Sequence, residues 1–168
     1  MERIAVLSLG SNLGDREATL RAAVHDIGAL DGVEVMRASD IVETPALAPD
    51  GVDEDAPAYL NAVILVATAH EPHDLLTALN EIEAAHGRVR DVRWGDRTLD
   101  IDIVNFNGLQ LEEEGLTLPH PRAADRAFVL EPWLQLDADA VLPGHGRVDA
   151  LLASTTDSVN RYPSEPLK

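Results

Sequence analysis

The chain has 168 residues, with 13 Lys or Arg against 30 Asp or Glu, a formal charge of -17, and 45% apolar and 26% charged residues. That is the composition of one globular domain with its own core, and so negative a field excludes a sequence-independent nucleic-acid binder or a polybasic membrane anchor, which need clustered cations against phosphates. With no Cys in the chain, disulfides, thiolate nucleophiles and thiolate metal sites are excluded, and any metal must rest on oxygen or imidazole.

Met1, Glu2 and Arg3 run directly into an apolar stretch without a signal-peptide core, and no apolar run approaches the ~20 residues that span a bilayer, so a cytoplasmic protein is expected. Ile4 to Leu9 reads as a buried strand ending at Gly10. After Gly14, Asp15 is a candidate N-cap for a helix whose Leu20, Ala23, Val24, Ile27 and Leu30 share one face. Val33 to Val42 looks extended, and Thr44, Pro45 and the stretch from Ala48 to Pro57 read as a long surface loop. Tyr59 to Thr68 has the β-branched, apolar character of a strand, and Pro72 opens a helix carrying Leu75, Leu76, Leu79 and Ile82 that Gly87 closes. An arginine-crowded loop from Gly87 to Thr98 leads into a strand at Leu99 to Val104. An acidic loop at Glu112 to Glu114, an irregular segment around Pro119 to Arg122, a short helix near Ala127 to Leu134 and a weak one at Val148 to Leu152 follow. The polar residues after Ser154 are expected to fray, giving a single domain over residues 1–160 and a flexible tail at 161–168. The order strand, helix, strand, strand, helix, strand fits an α+β ferredoxin-like sandwich, a mostly antiparallel sheet with helices packed on its faces. Fold alone does not give function.

The chemistry concentrates around Leu99, Asp100, Ile101, Asp102 and Ile103. Side chains alternate along a strand, so the two carboxylates share one face and the aliphatics the other, about 7 Å separating successive same-side residues. Two hard oxygen donors on a rigid strand suit Mg2+, with waters and substrate phosphates completing the octahedron. The alternative is a half-exposed strand with acids on its wet face. Four of the 13 basic residues, Arg88, Arg90, Arg93 and Arg97, lie immediately upstream. Some of them can pair with Glu81, Glu83, Asp91 and Asp96, but four guanidinium groups beside a Mg2+ site are also what a polyphosphate needs. Arg122 and Arg126 follow His120 and could hold the far end of the same polyphosphate. No P-loop is possible, since Lys168 is the only lysine. Gly10 to Gly14 lacks the third glycine of a dinucleotide fingerprint and reads as a tight turn, with Ser11 or Asn12 satisfying backbone donors. Aromatics make up only 4% of the chain. Trp94 in the arginine loop, Tyr59 beside Asn61, and Phe128 after Arg126 could stack a flat heterocycle while the Asn61 amide reads its polar edge, although Tyr59 and Phe128 also suit a core.

The segment GRVRDVRWGDRTLDIDI, together with GSNLGD, ETPAL, AYLNAV and LPHPRAADRAFVLEPW, resembles the 6-hydroxymethyl-7,8-dihydropterin pyrophosphokinase family of folate biosynthesis, in order over residues 3 to about 143. The resemblance implies a ferredoxin-like fold and transfer of the β,γ-pyrophosphoryl group of ATP to the pterin hydroxymethyl oxygen, releasing AMP. It implies two Mg2+ ions held by Asp100 and Asp102, with Arg88 and Arg97 on phosphates and ordering the loop. Thr44, Pro45, Leu47, Tyr59, Asn61, Trp94 and Phe128 would then bind the pterin, stacked between Tyr59 and Phe128. Leu76, Asn80, Glu83, Ile103, Thr117, His120 and Arg126, with Arg88 and Arg97, would contact ATP. A monomer taking these two small-molecule substrates, with no nucleic-acid or membrane partner, is expected. Asp96 stands where the common motif has Pro, and Gly115 replaces a basic residue seen in some members. A non-catalytic cation-binding module and a pyrophosphokinase for another heterocyclic alcohol are the competing readings.

Overall fold

The computed structural model describes residues 2–48, 51–53, 58–87, 99–156 and 159–168. The chain opens with β1 (Arg3–Ser11), α1 (Arg16–Gly28), β2 (Val33–Ala38), β3 (Val42–Thr44), β4 (Ala46–Ala48), β5 (Gly51–Asp53), β6 (Tyr59–Thr68) and α2 (Pro72–Ala85). It continues with β7 (Asp100–Phe106), β8 (Leu111–Glu113), β9 (Leu116–Leu118), a 3-10 turn at Ala123–Asp125, α3 (Ala127–Leu136), β10 (Val141–Leu142), β11 (Gly146–Arg147), α4 (Val148–Ser154) and β12 (Asn160–Arg161).

The main sheet runs β12-β3-β6-β1-β7, with β2 also pairing β6, and every pairing is antiparallel. β1 lies inside the sheet, between β6 and β7, and both its faces are apolar and covered. Leu7 and Leu9 pack with Ile64, Ile101 and Ile103 against Leu20, Ala23 and Ile27 of α1 and Leu75, Leu79 and Ile82 of α2. On the opposite face, Val6, Val63 and Val104 pack with Val129, Leu130 and Trp133 of α3 and Val148 of α4. The α+β sandwich anticipated from element order is therefore the architecture. Among the described residues no helix is long and apolar enough to cross a membrane.

Local signals account for several element ends. Asp15 caps α1, its Oδ1 accepting from Ala18 N–H at 3.1 Å, and Pro72 stands in the first turn of α2. Gly87, at φ +82, takes the left-handed conformation that closes α2. Other features differ from the sequence-based expectations. The long loop after Thr44 contains a hairpin, β4 with β5, and the acidic loop is the hairpin β8 to β9, turning through Gly115 at φ +81. Three-residue strands are too short to show the alternation that identifies longer ones. Gly10 and Ser11 lie inside β1, and the chain bends only after them, around Gly14. The C-terminal residues expected to fray have contacts of their own. β12 pairs with β3, and Tyr162 and Leu167 pack against the core.

Candidate active site

Register, more than any single element, assembles the polar site. Gly10 of β1 lies opposite Asn61 of β6 on one side and Asp100 of β7 on the other, and Asn61 in turn faces Val42 of β3. Directly opposed residues share a sheet face, so Asp100, Gly10 and Asn61 form one row. The next row is Asp102, Ser8 and Val63. This is the face that α3 and α4 cover around Val6, Val63 and Val104. The row of Asp100, Gly10 and Asn61 lies beyond those valines, and the next row borders them through Val63. Ile101 and Ile103 point into the core on the other face, which leaves both aspartates half-buried on the site side.

β7 is an edge strand, and its outer main chain is partly capped by α2. The Glu83 carboxylate, almost completely buried, accepts from Ile101 N–H at 2.7 Å. A main-chain N–H held by a buried carboxyl oxygen in this way fixes the strand between the two aspartates. Leu76, Asn80 and Glu83 fall on one side of α2 by their spacing, Leu76 and Asn80 half-buried. The Ile103 side chain is in the core, 4% exposed, so only its main chain can meet a ligand. Thr117 lies exposed on β9.

His120 joins this edge through its main chain, its N–H donating to Val104 O at 2.9 Å. Its Nδ1 accepts from Arg122 N–H, which assigns the neutral ring as the Nε2–H tautomer, and Nε2 lies 3.9 Å from Asp102 Oδ2. Burial, reinforced by the Arg126 and Arg122 charges and opposed by Asp100, lowers the imidazole pKa from 6.5 to about 4. The ring is thus neutral at pH 7. Arg126 sits at the N-terminus of α3 with its guanidinium 5.5 Å from the Phe128 ring centroid, a cation–π contact that orients both groups.

The other wall comes from β3 and β6. Asn61, 4% exposed, donates from Nδ2 to Thr44 Oγ1 at 3.0 Å. Thr44 lies opposite Tyr59, which is half-buried, and Pro45 follows, exposed. Leu47 falls on β4. The structure thus brings together Thr44, Tyr59 and Asn61 on one wall and Asp100, Asp102, His120 and Arg126 with Phe128 on the other. Arg88, Trp94 and Arg97, with Arg90, Arg93 and Asp96, lie outside the described residues. Two positions were not legible from the sequence. Gly10 leaves the space in which the Asn61 amide sits, since a Cβ there would lie 2.9 Å from Asn61 Oδ1. Ser11, expected to satisfy backbone donors in a turn, instead buries an Oγ with no hydrogen-bond partner among the described residues. Only the strand pairing, which local pattern does not report, could have placed Gly10 against Asn61.

The family model for 7,8-dihydro-6-hydroxymethylpterin-pyrophosphokinase (HPPK) matches residues 6–138, most of the chain and all of the elements just described from β1 into α3. The chain belongs to the HPPK family. It is 41% identical over 157 residues to the 2-amino-4-hydroxy-6-hydroxymethyldihydropteridine pyrophosphokinase of Methylorubrum extorquens, an alignment covering 94% of this chain and 97% of that one. The Bacillus subtilis enzyme of the same name is 43% identical over 136 residues, 81% of this chain and 79% of the other. Among solved structures, a Plasmodium falciparum HPPK-DHPS chain superposes with a TM-score of 0.70 at 14% identity, over 91% of this chain and 45% of that one. That likeness establishes the HPPK fold, and this chain spans less than half of the HPPK-DHPS chain.

The candidate site offers hard donors for a divalent metal. Asp100 and Asp102 offer carboxylate oxygens from alternate positions of one strand. Among the described residues, no group of three or more His, Asp or Glu side chains is arranged to hold an ion unaided. Two hard donors without a complete protein cage fit Mg2+, which keeps waters and takes substrate phosphates, better than an ion that needs full protein ligation.

Proposed function

We propose that the chain transfers the pyrophosphoryl group of ATP to the hydroxymethyl group of 6-hydroxymethyl-7,8-dihydropterin, giving AMP and the pterin diphosphate for folate biosynthesis. HPPK membership carries the reaction class. Support for its location comes from the row Asp100, Gly10 and Asn61, in which a carboxylate and an amide share one face of the sheet with only β1 between their strands.

In this reading Asn61 and Thr44 read the polar edge of the pterin, and Tyr59 and Phe128 stack its faces, with Pro45, Leu47 and Trp94 as further pterin-binding residues. Fixing Asn61 Nδ2 on Thr44 Oγ1 leaves its Oδ1 as the acceptor for a ring N–H. Leu76, Asn80 and the Ile103 main chain border the nucleotide, as do Glu83 and Thr117. Arg88, Arg97 and Arg126 neutralise the triphosphate, while neutral His120 donates from Nε2 without adding charge. Asp100 and Asp102 would hold two Mg2+ ions, which supply charge neutralisation on the phosphate oxygens. The pterin hydroxyl oxygen forms a bond to the β-phosphorus as the bond from that phosphorus to the α,β-bridging oxygen breaks, and AMP leaves with the electron pair. The hydroxyl proton passes to solvent or to an Asp102 oxygen. No covalent enzyme intermediate is required, so orientation and preorganised charge supply most of the acceleration. The net charge of -17 disfavours a nucleic-acid partner, and the enzyme is read as a cytoplasmic monomer.

The test is nucleotide turnover with Mg2+ and the pterin, separating AMP from ADP by chromatography, beside Asp100→Ala. AMP formed only with the pterin and lost in the variant is the expected result. ADP as product, or AMP formation surviving Asp100→Ala, would refute the assignment. Asp102→Asn that keeps Mg2+ affinity and the full rate would remove Asp102 as proton acceptor.

A further inference from the structure

We propose that residues 159–168 form a clasp that holds β3 in register and thereby sets pterin affinity, an inference that rests on reading the Thr44 and Asn61 pair as the pterin-recognising wall. The segment lies beyond residue 138, where the match to the HPPK family model ends.

β3 has only three residues, and it carries Thr44, the partner of the Asn61 amide. Without β12 it would be the sheet edge, held by β6 alone, and a strand so short and half-paired exchanges readily with open conformations. β12 supplies the missing side. Asn160 and Arg161 pair with Glu43 and Val42, and Tyr162 N–H donates to Ile41 O at 3.1 Å. Ile41 is fully buried, so that bond ties the tail to a fixed point of the core.

Two arginines of α1 hold the segment from the other side. Arg16 Nη1 lies 2.8 Å from Glu43 Oε2 and 2.7 Å from Ala58 O, and its guanidinium is 5.9 Å from the Tyr162 ring centroid. One side chain thus links the tail, the strand bearing Thr44 and the residue preceding Tyr59. Arg21 donates to Pro166 O at 2.9 Å and to Glu165 O at 2.5 Å, while Glu17 orients its Nε at 2.9 Å. Leu167 packs on the same core. β6 and β1 lie between β3 and the aspartate strand β7, so loosening β3 leaves the metal and nucleotide side of the sheet in place.

The full-length double variant Arg21→Ala/Tyr162→Ala tests the clasp, with Tyr162→Ala alone as the milder version should the double variant fail to fold. Expected are a pterin Kd and KM raised roughly 5- to 20-fold, with ATP KM and kcat within about twofold of wild type, and faster amide hydrogen exchange over residues 41–44 but not 101–106. Rescue by Arg21→Lys/Tyr162→Phe is expected to be substantial. Unchanged exchange at 41–44, unchanged pterin affinity despite faster exchange there, or equal losses for ATP and pterin would each overturn the proposal. A wild-type protein that fails to bind the pterin would instead defeat the functional reading, which the exchange data detect separately because they need no ligand.

Discussion

Substituting Ala for Gly10 adds one methyl group at the centre of the site. Its Cβ would lie 2.9 Å from Asn61 Oδ1, inside contact distance, and 3.5 Å from Tyr59 Cδ1, an ordinary contact. Gly10 has no left-handed φ, so Ala fits the backbone, and the narrower unfolded ensemble contributes about 0.4–1 kcal/mol of stability. The obstructing atom is the end of a side chain, so the strand need not move. The Asn61 amide turns instead, and its 3.0 Å bond to Thr44 is strained or broken inside a buried site. A buried hydrogen bond disturbed in this way costs about 1–3 kcal/mol, which equals or exceeds the backbone gain, so the variant should melt at or below the wild-type temperature. Pterin binding receives no such offset. Losing the amide's fixed orientation should raise the pterin Kd about tenfold to a hundredfold, which is ~1.4–2.8 kcal/mol. Calorimetric titration with the pterin and with a non-hydrolysable ATP analogue, beside thermal melts, separates these effects. Gly14→Ala is the control, since Gly14 has open space but φ +64, and should lose stability without losing pterin affinity. Gly10→Ala binding the pterin as tightly as wild type, or losing both ligands equally, would refute the role given to the Asn61 niche.

Two further outcomes follow from the edge of β7. Glu83→Ala removes the acceptor of the buried Ile101 N–H and should cost about 1–3 kcal/mol in urea unfolding, with Mg2+ affinity falling as the aspartate strand loosens; stability unchanged within error would contradict the strand-fixing role. In metal-free buffer, the His120 imidazole should show an NMR titration midpoint about pH 4, and a midpoint near 6.5 would contradict its burial beside Arg126. Because the folded pKa lies below the unfolded one, the unfolded chain binds more protons between those values. The contribution of His120 to stability is therefore complete above about pH 6.5 and is lost as pH falls toward 4, by ~3 kcal/mol across that window. His120→Asn should remove that part of the pH dependence.

Much of the site was legible along the chain. The alternation of Asp100 and Asp102 with Ile101 and Ile103 states which face is wet and which is core, and the whole of β6 from Tyr59 to Thr68 could be read from its side chains. Asp15 and Pro72 marked helix starts by local capping chemistry that operates within a few residues. The family resemblance carried by these motifs is borne out by HPPK membership. Pairing between distant segments was not legible. Gly10 facing Asn61, Glu83 meeting Ile101 N–H, and β12 closing on β3 each join residues separated by more than a dozen positions. Their partners are chosen by register and by which edge remains unfilled once the core has packed, terms that no window of neighbouring residues contains. Local pattern thus marked the candidate residues, and the sheet determined which of them meet.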